Sequence, residues 1–195
     1  MVKRIKNIAV FISGKGTNAK NIISYYHNST KIKVKFVFST KENDDVAKFC
    51  EQYGLAFFIE KEQSKQSEKQ QKLCFEQQVD WVILAGYLKQ IGPELISYLS
   101  ERIINLHPAL LPKFGGKGMH GKNVHNAVIA AKETKSGITI HRVNEVFDEG
   151  EILLQYECSV DRNETAESLE EKIHILERNH FPEAISRIIQ GESGY

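Results

Sequence analysis

Short runs rich in apolar and β-branched residues constrain the fold of this chain more than any other feature of its sequence. They lie at 8–12, 33–38, 55–59, 79–86 and 103–107, and each has the length of one strand. The first run is apolar throughout, as in a strand buried on both faces, and helical patterns separate several of the runs. This order predicts an α/β fold with a doubly wound, mostly parallel sheet, followed by an antiparallel C-terminal extension.

The size and charge of the chain suit a single enzyme domain. Its 195 residues fit one medium domain, and its net charge of +1, from 26 basic and 25 acidic residues, indicates no nucleic-acid surface. No apolar run approaches the length of a membrane span. The three scattered cysteines have no metal-like spacing, so we expect reduced thiols, a cytoplasmic location and no metal site.

The run that begins at Ile103 ends with two polar side chains before a proline. Asn105 and His107 are two positions apart, so in a strand they point to the same side. Pro108 ends the strand, which places a carboxamide and an imidazole at its carboxyl end, where ligands bind in open α/β sheets. Such a pair suits a reaction in which a carbonyl oxygen gains negative charge. A strand-end histidine that is hydrogen-bonded to a loop would explain the same pattern without any chemistry.

A glycine-rich turn, 13–18, follows the first strand and precedes a helical pattern. Strand, glycine turn and helix together direct backbone N–H groups toward a phosphate. The third glycine of a dinucleotide-binding fingerprint is missing, and so is the Lys-Ser/Thr ending of a P-loop. A tight βα turn without a ligand would therefore also fit this segment.

Several separated motifs resemble the folate-dependent formyltransferases, most closely the branch that formylates glycinamide ribonucleotide. They are Asn-Leu-His-Pro-Ala-Leu-Leu-Pro at 105–112, Ser-Gly-Lys-Gly-Thr-Asn at 13–18 and Ala-Gly-Tyr-Leu-Lys-Gln-Ile at 85–91. The resemblance extends from Ile8 to about Gln190. It implies transfer of the formyl group of 10-formyltetrahydrofolate, a co-substrate, to the amine of glycinamide ribonucleotide in de novo purine synthesis. The partners are then small molecules, with no nucleic acid and no membrane.

The resemblance also implies roles for individual residues. The ribonucleotide would be bound by Gly16, Thr17, Asn18 and Glu177, and the folate by Leu88, Lys89, Gln90, Ile91 and Asn105. Lys89 stands where the family has arginine, so a bidentate contact is not expected there. The implied halves of the single domain 1–195 are a phosphate-binding half at about 1–100 and a catalytic, folate-binding half at about 101–195.

The implied catalytic residues are Asn105, His107 and Asp148. The substrate amine would attack the formyl carbon, and Asn105 with a protonated His107 would stabilise the resulting oxyanion. A carboxylate at Asp148 would favour the imidazolium. Residues 148–151 also fit an ordinary hairpin turn, and the proton could reach the folate nitrogen from His107 or through water.

Two later segments have clear local signals. Four glycines within 113–124 predict a mobile loop that closes over the folate side of the site as a lid. His120 in this loop could reach substrate, although a solvated position is expected, and His125 would support the next helix. Residues 165–189 predict a long helix with Thr165 as its N-cap, which Pro182 should kink or divide.

Three kinds of protein with other functions share some of these features. Methionyl-tRNA formyltransferases and formyltetrahydrofolate hydrolases have a similar core with an additional domain, for which we expect no room in this length. A non-catalytic Rossmann-type module would need an acidic residue after the second strand, where 39–41 is Ser-Thr-Lys and Glu42 is the nearest acid.

Overall fold

A computed structural model describes residues 4–191 of the chain, which form seven strands and six helices. The strands are β1 (Lys6–Ile12), β2 (Ile32–Ser39), β3 (Ala56–Ile59), β4 (Trp81–Leu84), β5 (Ile103–His107), β6 (Lys135–Arg142) and β7 (Ile152–Ser159). The helices are α1 (Thr17–Tyr26), α2 (Asp44–Gln52), α3 (Gln63–Glu76), α4 (Pro93–Leu99), α5 (Lys122–Ala130) and α6 (Ala166–Gln190). The strand order is β3-β2-β1-β4-β5-β6-β7. The predicted α/β class, with a mostly parallel sheet and an antiparallel C-terminal pair, is confirmed.

The first of two compact units ends at Ile104. Strand β1 pairs in parallel with β2 and β4, and β2 pairs in parallel with β3. Residues 8–12 are completely buried, which explains why the run is apolar throughout. Helix α1 buries Ile22 and Ile23, one side of its amphipathic pattern.

The second unit begins at Asn105 and contains the antiparallel pair of β6 and β7. Gly137 lies where the two strands approach closely, since a Cβ there would be 2.0 Å from the carbonyl oxygen of Tyr156. Helix α6 starts with a capping box, in which Thr165 and Ser168 each bond the backbone N–H of the other. The predicted N-cap at Thr165 is therefore confirmed.

Two local expectations need correction, and one helix was not expected. Helix α6 is not divided at Pro182, and the burial of Phe181, Ala184 and Ile185 around the proline supports the helix there. Helix α4 was not predicted. Helix α5 begins at Lys122, inside the segment expected to be a loop. No helix within residues 4–191 is long and apolar enough to cross a membrane.

Candidate active site

Four polar side chains meet in the second unit near the end of β5. Asn105 and His107 lie on β5, His141 lies near the end of β6, and Asp148 lies in the turn between β6 and β7. The Asp148 carboxylate is 3.5 Å from Nδ1 of His107 and 3.5 Å from Nε2 of His141. Asn105 Nδ2 is 3.1 Å from the same Nε2 of His141. The structure therefore brings the three predicted catalytic residues together around a second histidine.

The imidazole of His107 is buried, with an exposed fraction of 3%, and has a partner at each nitrogen. Nε2 lies 2.8 Å from the carbonyl oxygen of Phe114. A carbonyl can only accept, so Nε2 carries the proton and donates it. In the neutral ring Nδ1 is then unprotonated and faces the Asp148 carboxylate. A proton added at Nδ1 would form an ion pair with Asp148.

The two partners of His107 have unusual backbone conformations. Phe114 has φ of 58° and Asp148 has φ of 59°, in the left-handed region that residues other than glycine seldom adopt. Each such residue costs about 1–3 kcal/mol, and such strain clusters at functional sites. Asp148 is held there by the backbone N–H of Gly116, which donates to its Oδ2 over 2.9 Å. The turn is therefore more constrained than an ordinary hairpin.

His141 fixes the orientation of Asn105. Its Nδ1 donates to the carbonyl oxygen of Arg142 over 2.7 Å, which leaves Nε2 of the neutral ring as an acceptor. Asn105 Nδ2 donates to that nitrogen. The amide orientation of Asn105 follows from this tautomer, with the carboxamide oxygen left for another donor.

Burial and charge act in opposite directions on the ionisation of the cluster. Burial lowers the pKa of His107 below 6.5, although the Asp148 carboxylate and the Phe114 carbonyl oppose this shift. Burial would raise the pKa of Asp148, but the neighbouring imidazoles of His141 and His107, together with the hydrogen bond from the Gly116 N–H, hold it below 3.8. At neutral pH Asp148 is ionised and His107 is neutral in this conformation.

Two residues that were not predicted hold the chain just after His107. Thr139 Oγ1 donates to the carbonyl oxygen of Ala109 over 2.6 Å and accepts from the backbone N–H of Leu111 over 3.0 Å. Gln155 is paired with Thr139 in the β6–β7 register. Its Nε2 donates to the same hydroxyl and to the carbonyl oxygen of Leu111. The pairing of β6 with β7 was the signal that could have indicated these contacts.

The predicted phosphate-binding residues lie together in the first unit. Gly16 caps α1 with φ of 74°, and Thr17 and Asn18 are the first residues of the helix. A Cβ at Gly16 would be 2.4 Å from Cγ2 of the buried Val46, so both the conformation and the space require glycine.

Asn43, which was not predicted, joins this turn to the next helix. Its Nδ2 donates to the carbonyl oxygen of Gly14 over 3.0 Å, and its Oδ1 caps α2 by accepting from Val46 N–H over 3.0 Å. One side chain therefore restrains both the glycine turn and the start of α2. An asparagine just before a helical pattern was a signal for the cap, but not for the bond to Gly14.

The predicted folate segment follows β4 in the same unit. Leu88, Lys89 and Gln90 are exposed and Ile91 is buried. The backbone N–H of Leu88 donates to Ser13 Oγ over 3.0 Å, so this segment is bonded to the start of the glycine turn. This contact was also not predicted.

The remaining candidates lie in or just before the helices of the second unit. Glu177 is half-buried on α6 in the second unit. His120 is exposed, whereas His125 is buried and its Nδ1 has no hydrogen-bond partner in the part of the chain that the structure describes. Within residues 4–191, no group of His, Cys, Asp and Glu side chains is arranged to hold a metal ion.

Comparison with known proteins adds independent information. A family model described as "Formyl transferase" matches residues 6–185. A phosphoribosylglycinamide formyltransferase of Bacillus subtilis is 30% identical, with 95% of each chain covered. A chloroplastic protein of the same name from Arabidopsis thaliana is 35% identical over 96% of this chain, which spans only 66% of that relative's length. The crystal structure of a phosphoribosylglycinamide formyltransferase from Streptococcus pneumoniae superposes with a TM-score of 0.81 and 31% sequence identity. The matched region covers 95% of this chain and 99% of the Streptococcus pneumoniae chain.

Proposed function

The chain belongs to the formyl transferase family, and we propose that it transfers the formyl group of 10-formyltetrahydrofolate to the amine of glycinamide ribonucleotide in purine biosynthesis. The observation that carries this proposal is the buried His107, set between the Asp148 carboxylate and the Phe114 carbonyl and close to Asn105. Asn105 and, once the Phe114 carbonyl is displaced, Nε2 of His107 would supply hydrogen-bond donors to a developing oxyanion.

We assign recognition of the ribonucleotide phosphate to the turn that leads into α1. Gly16, Thr17 and Asn18 would bind the phosphate through backbone N–H groups at the helix N-terminus, and Glu177 would bind another part of the ribonucleotide. Folate recognition is assigned to the segment 88–91, which is mostly exposed, and to Asn105. The division of labour into a phosphate-binding half at about 1–100 and a catalytic half at about 101–195 is part of the same proposal.

The proposed reaction begins when the amine nitrogen of the ribonucleotide attacks the formyl carbon. The C=O bond becomes a C–O⁻ single bond, which Asn105 and His107 stabilise. Collapse of this intermediate breaks the bond from carbon to N10 of the folate. One proton leaves the former amine and one reaches N10, so that formylated ribonucleotide and tetrahydrofolate are released.

Asp148 has a defined task in this sequence of steps. It lies 3.5 Å from Nδ1 of His107 and is ionised, so it favours a proton on that nitrogen as negative charge develops on the substrate. Burial opposes the imidazolium in the present conformation. Protonation of His107 is therefore coupled to the arrival of the oxyanion, which supplies a second negative charge near the ring.

The Phe114 carbonyl imposes a condition on this mechanism. It accepts the hydrogen bond from Nε2–H of His107, while Nδ1 faces Asp148. Neither nitrogen is therefore free to bond a substrate oxygen in this conformation. The formyl oxygen must replace Phe114 as the acceptor at Nε2. The loop that contains Phe114 would therefore move as substrate binds. The predicted motion of the lid would release the Phe114 carbonyl from His107.

The decisive experiment is a formyl-transfer assay with the purified chain, 10-formyltetrahydrofolate and glycinamide ribonucleotide. Tetrahydrofolate should form only when the ribonucleotide is present, and His107→Ala should abolish most of the rate. Release of formate without ribonucleotide would instead indicate a hydrolase. Formylation of methionyl-tRNA would indicate a tRNA formyltransferase, and binding of NAD without any transfer would indicate a non-catalytic nucleotide-binding module.

The proposed partners are the two small-molecule substrates, without nucleic acid. A cytoplasmic location is also proposed, and it is supported by Cys50, Cys74 and Cys158, all of which are free thiols. Burial raises the pKa of Cys50 to about 11 and that of Cys74 to about 12, so both thiols are unreactive at neutral pH.

A further inference from the structure

The hydroxyl of Ser13 joins the ends of three strands in the first unit. Ser13 directly follows β1, and its backbone N–H donates to the carbonyl oxygen of Gly86 over 2.9 Å. Its Oγ accepts the backbone N–H of Leu88 over 3.0 Å, beyond the end of β4. The same Oγ accepts the hydroxyl of Thr40 over 3.0 Å, beyond the end of β2. Ser13 is 7% exposed, so water competes little for these bonds.

These contacts connect two segments with different proposed ligands. Ser13 opens the turn that continues to Gly16, Thr17 and Asn18, which we assign to the ribonucleotide phosphate. Leu88 opens the segment 88–91, which we assign to the folate. The bond from Leu88 N–H to Ser13 Oγ spans 75 positions of sequence and ties one segment to the other through a single side chain.

We propose that Ser13 is a positioning residue that couples the two substrate sites, so that binding of either substrate strengthens binding of the other. The inference rests on the proposed function for the identity of the two ligands. A ligand that orders the glycine turn fixes Ser13 Oγ, and this acceptor in turn restrains the Leu88 amide. The second ligand then binds a segment that is already ordered and loses less conformational entropy. Linkage requires the effect to be reciprocal.

The test is a four-way binding cycle by calorimetry on the full chain. Glycinamide ribonucleotide is titrated with and without saturating tetrahydrofolate, the reaction product, which carries no formyl group and cannot react. The reverse titration is done as well. In the wild type we expect each ligand to raise affinity for the other by roughly fivefold or more, within the usual range of such couplings. We call this ratio of affinities the coupling factor. In Ser13→Ala the coupling factor should fall to about one, because the acceptor for Leu88 N–H is lost.

Ser39→Ala is the matched control. Ser39 is also a buried serine at a strand end in this unit, but its hydroxyl donates to the carbonyl oxygen of Lys41 over 2.6 Å, within its own turn. This variant should keep the wild-type coupling factor even if it is less stable. If Ser13 has only a structural role, Ser13→Ala should lower the affinity for both ligands and leave the coupling factor unchanged. That result would overturn the inference.

A measurement on the wild type keeps the inference testable if Ser13→Ala does not fold. Glycinamide ribonucleotide alone should slow hydrogen exchange of the Leu88 amide severalfold, as followed by NMR. An unchanged rate at saturating ribonucleotide would refute the coupling. A wild type that binds no ribonucleotide refutes the proposed function together with the inference. A wild type that binds both ligands independently refutes the inference alone.

Discussion

Replacement of Gly16 by alanine tests the phosphate turn, because the structure gives two separate reasons for glycine there. The residue has φ of 74°, and a Cβ would lie 2.4 Å from Cγ2 of Val46 and 3.4 Å from Cδ1 of Ile12. Both neighbours are completely buried, so neither side chain can move into solvent.

The expected loss of stability is the sum of two terms. A left-handed backbone with a Cβ costs roughly 1–2 kcal/mol. Steric overlap in a well-packed region costs roughly 1–3 kcal/mol. Gly16→Ala should therefore lower the free energy of unfolding by roughly 2–5 kcal/mol. It should also weaken ribonucleotide binding at least tenfold, about 1.4 kcal/mol, because the displaced turn no longer presents its N–H groups to the phosphate.

Urea unfolding and calorimetry measure these effects, and a double-mutant cycle separates the terms. Val46→Ala removes the atom that the new Cβ would meet, so Gly16→Ala should cost roughly 1–3 kcal/mol less in that background. Gly14→Ala is the control, since no atom lies within 4 Å of its Cβ and its φ is not left-handed. It should change the free energy of unfolding by less than about 1 kcal/mol.

Two results would refute this reasoning. Additive effects of Gly16→Ala and Val46→Ala would mean that the overlap does not determine the cost. Equal weakening of ribonucleotide and tetrahydrofolate, each measured alone in a folded variant, would mean that the turn is not the phosphate site.

Three further predictions concern the second unit. Asp148→Asn should lower kcat by roughly 10²- to 10³-fold with ribonucleotide affinity retained. The double variant with His107→Ala should be scarcely slower than His107→Ala alone. Multiplicative losses of kcat would mean that the two residues act independently. Burial lowers the pKa of both His107 and His125, so the unfolded chain takes up protons that the folded chain does not, and the free energy of unfolding should fall as the pH drops below 6.5. Urea unfolding at several pH values measures this slope. Formylfolate should protect the loop 113–121 from proteolysis, and equal protection in the free protein would contradict a lid.

The sequence was sufficient where local pattern determines structure. Residues 8–12 are apolar because both faces of β1 are buried, and Thr165 caps α6 through a bond to a residue only three positions away. Helix α4 was missed because its seven residues offer little beyond a proline at the first turn. Pro182 costs a helix roughly 3 kcal/mol, but tertiary packing around Phe181 and Ile185 outweighs a local preference of that size.

The candidate site was predictable only in part for the same reason. Asn105 and His107 share a strand, and their alternation alone placed them together. The partner of Asn105 comes from a distant segment, since the Asn105–His141 bond spans 36 positions. The Phe114 carbonyl is near His107 in sequence, but it is a backbone atom that no residue type reveals. The left-handed conformations of Phe114 and Asp148 were also invisible, since neither is the glycine that such a φ usually selects.

The two bonds of Asn43 make asparagine and aspartate unequal at this position. Aspartate is as good a helix cap, and it could accept the Val46 N–H through a carboxylate oxygen. It has no N–H to give to the Gly14 carbonyl, and its charge would instead repel that oxygen. Hydrolysis of the side-chain amide, the slow ageing reaction that turns asparagine into aspartate, would therefore release the glycine turn while leaving α2 capped. A stored sample could lose ribonucleotide affinity through a mass change of about one dalton, with its helix content and overall fold intact.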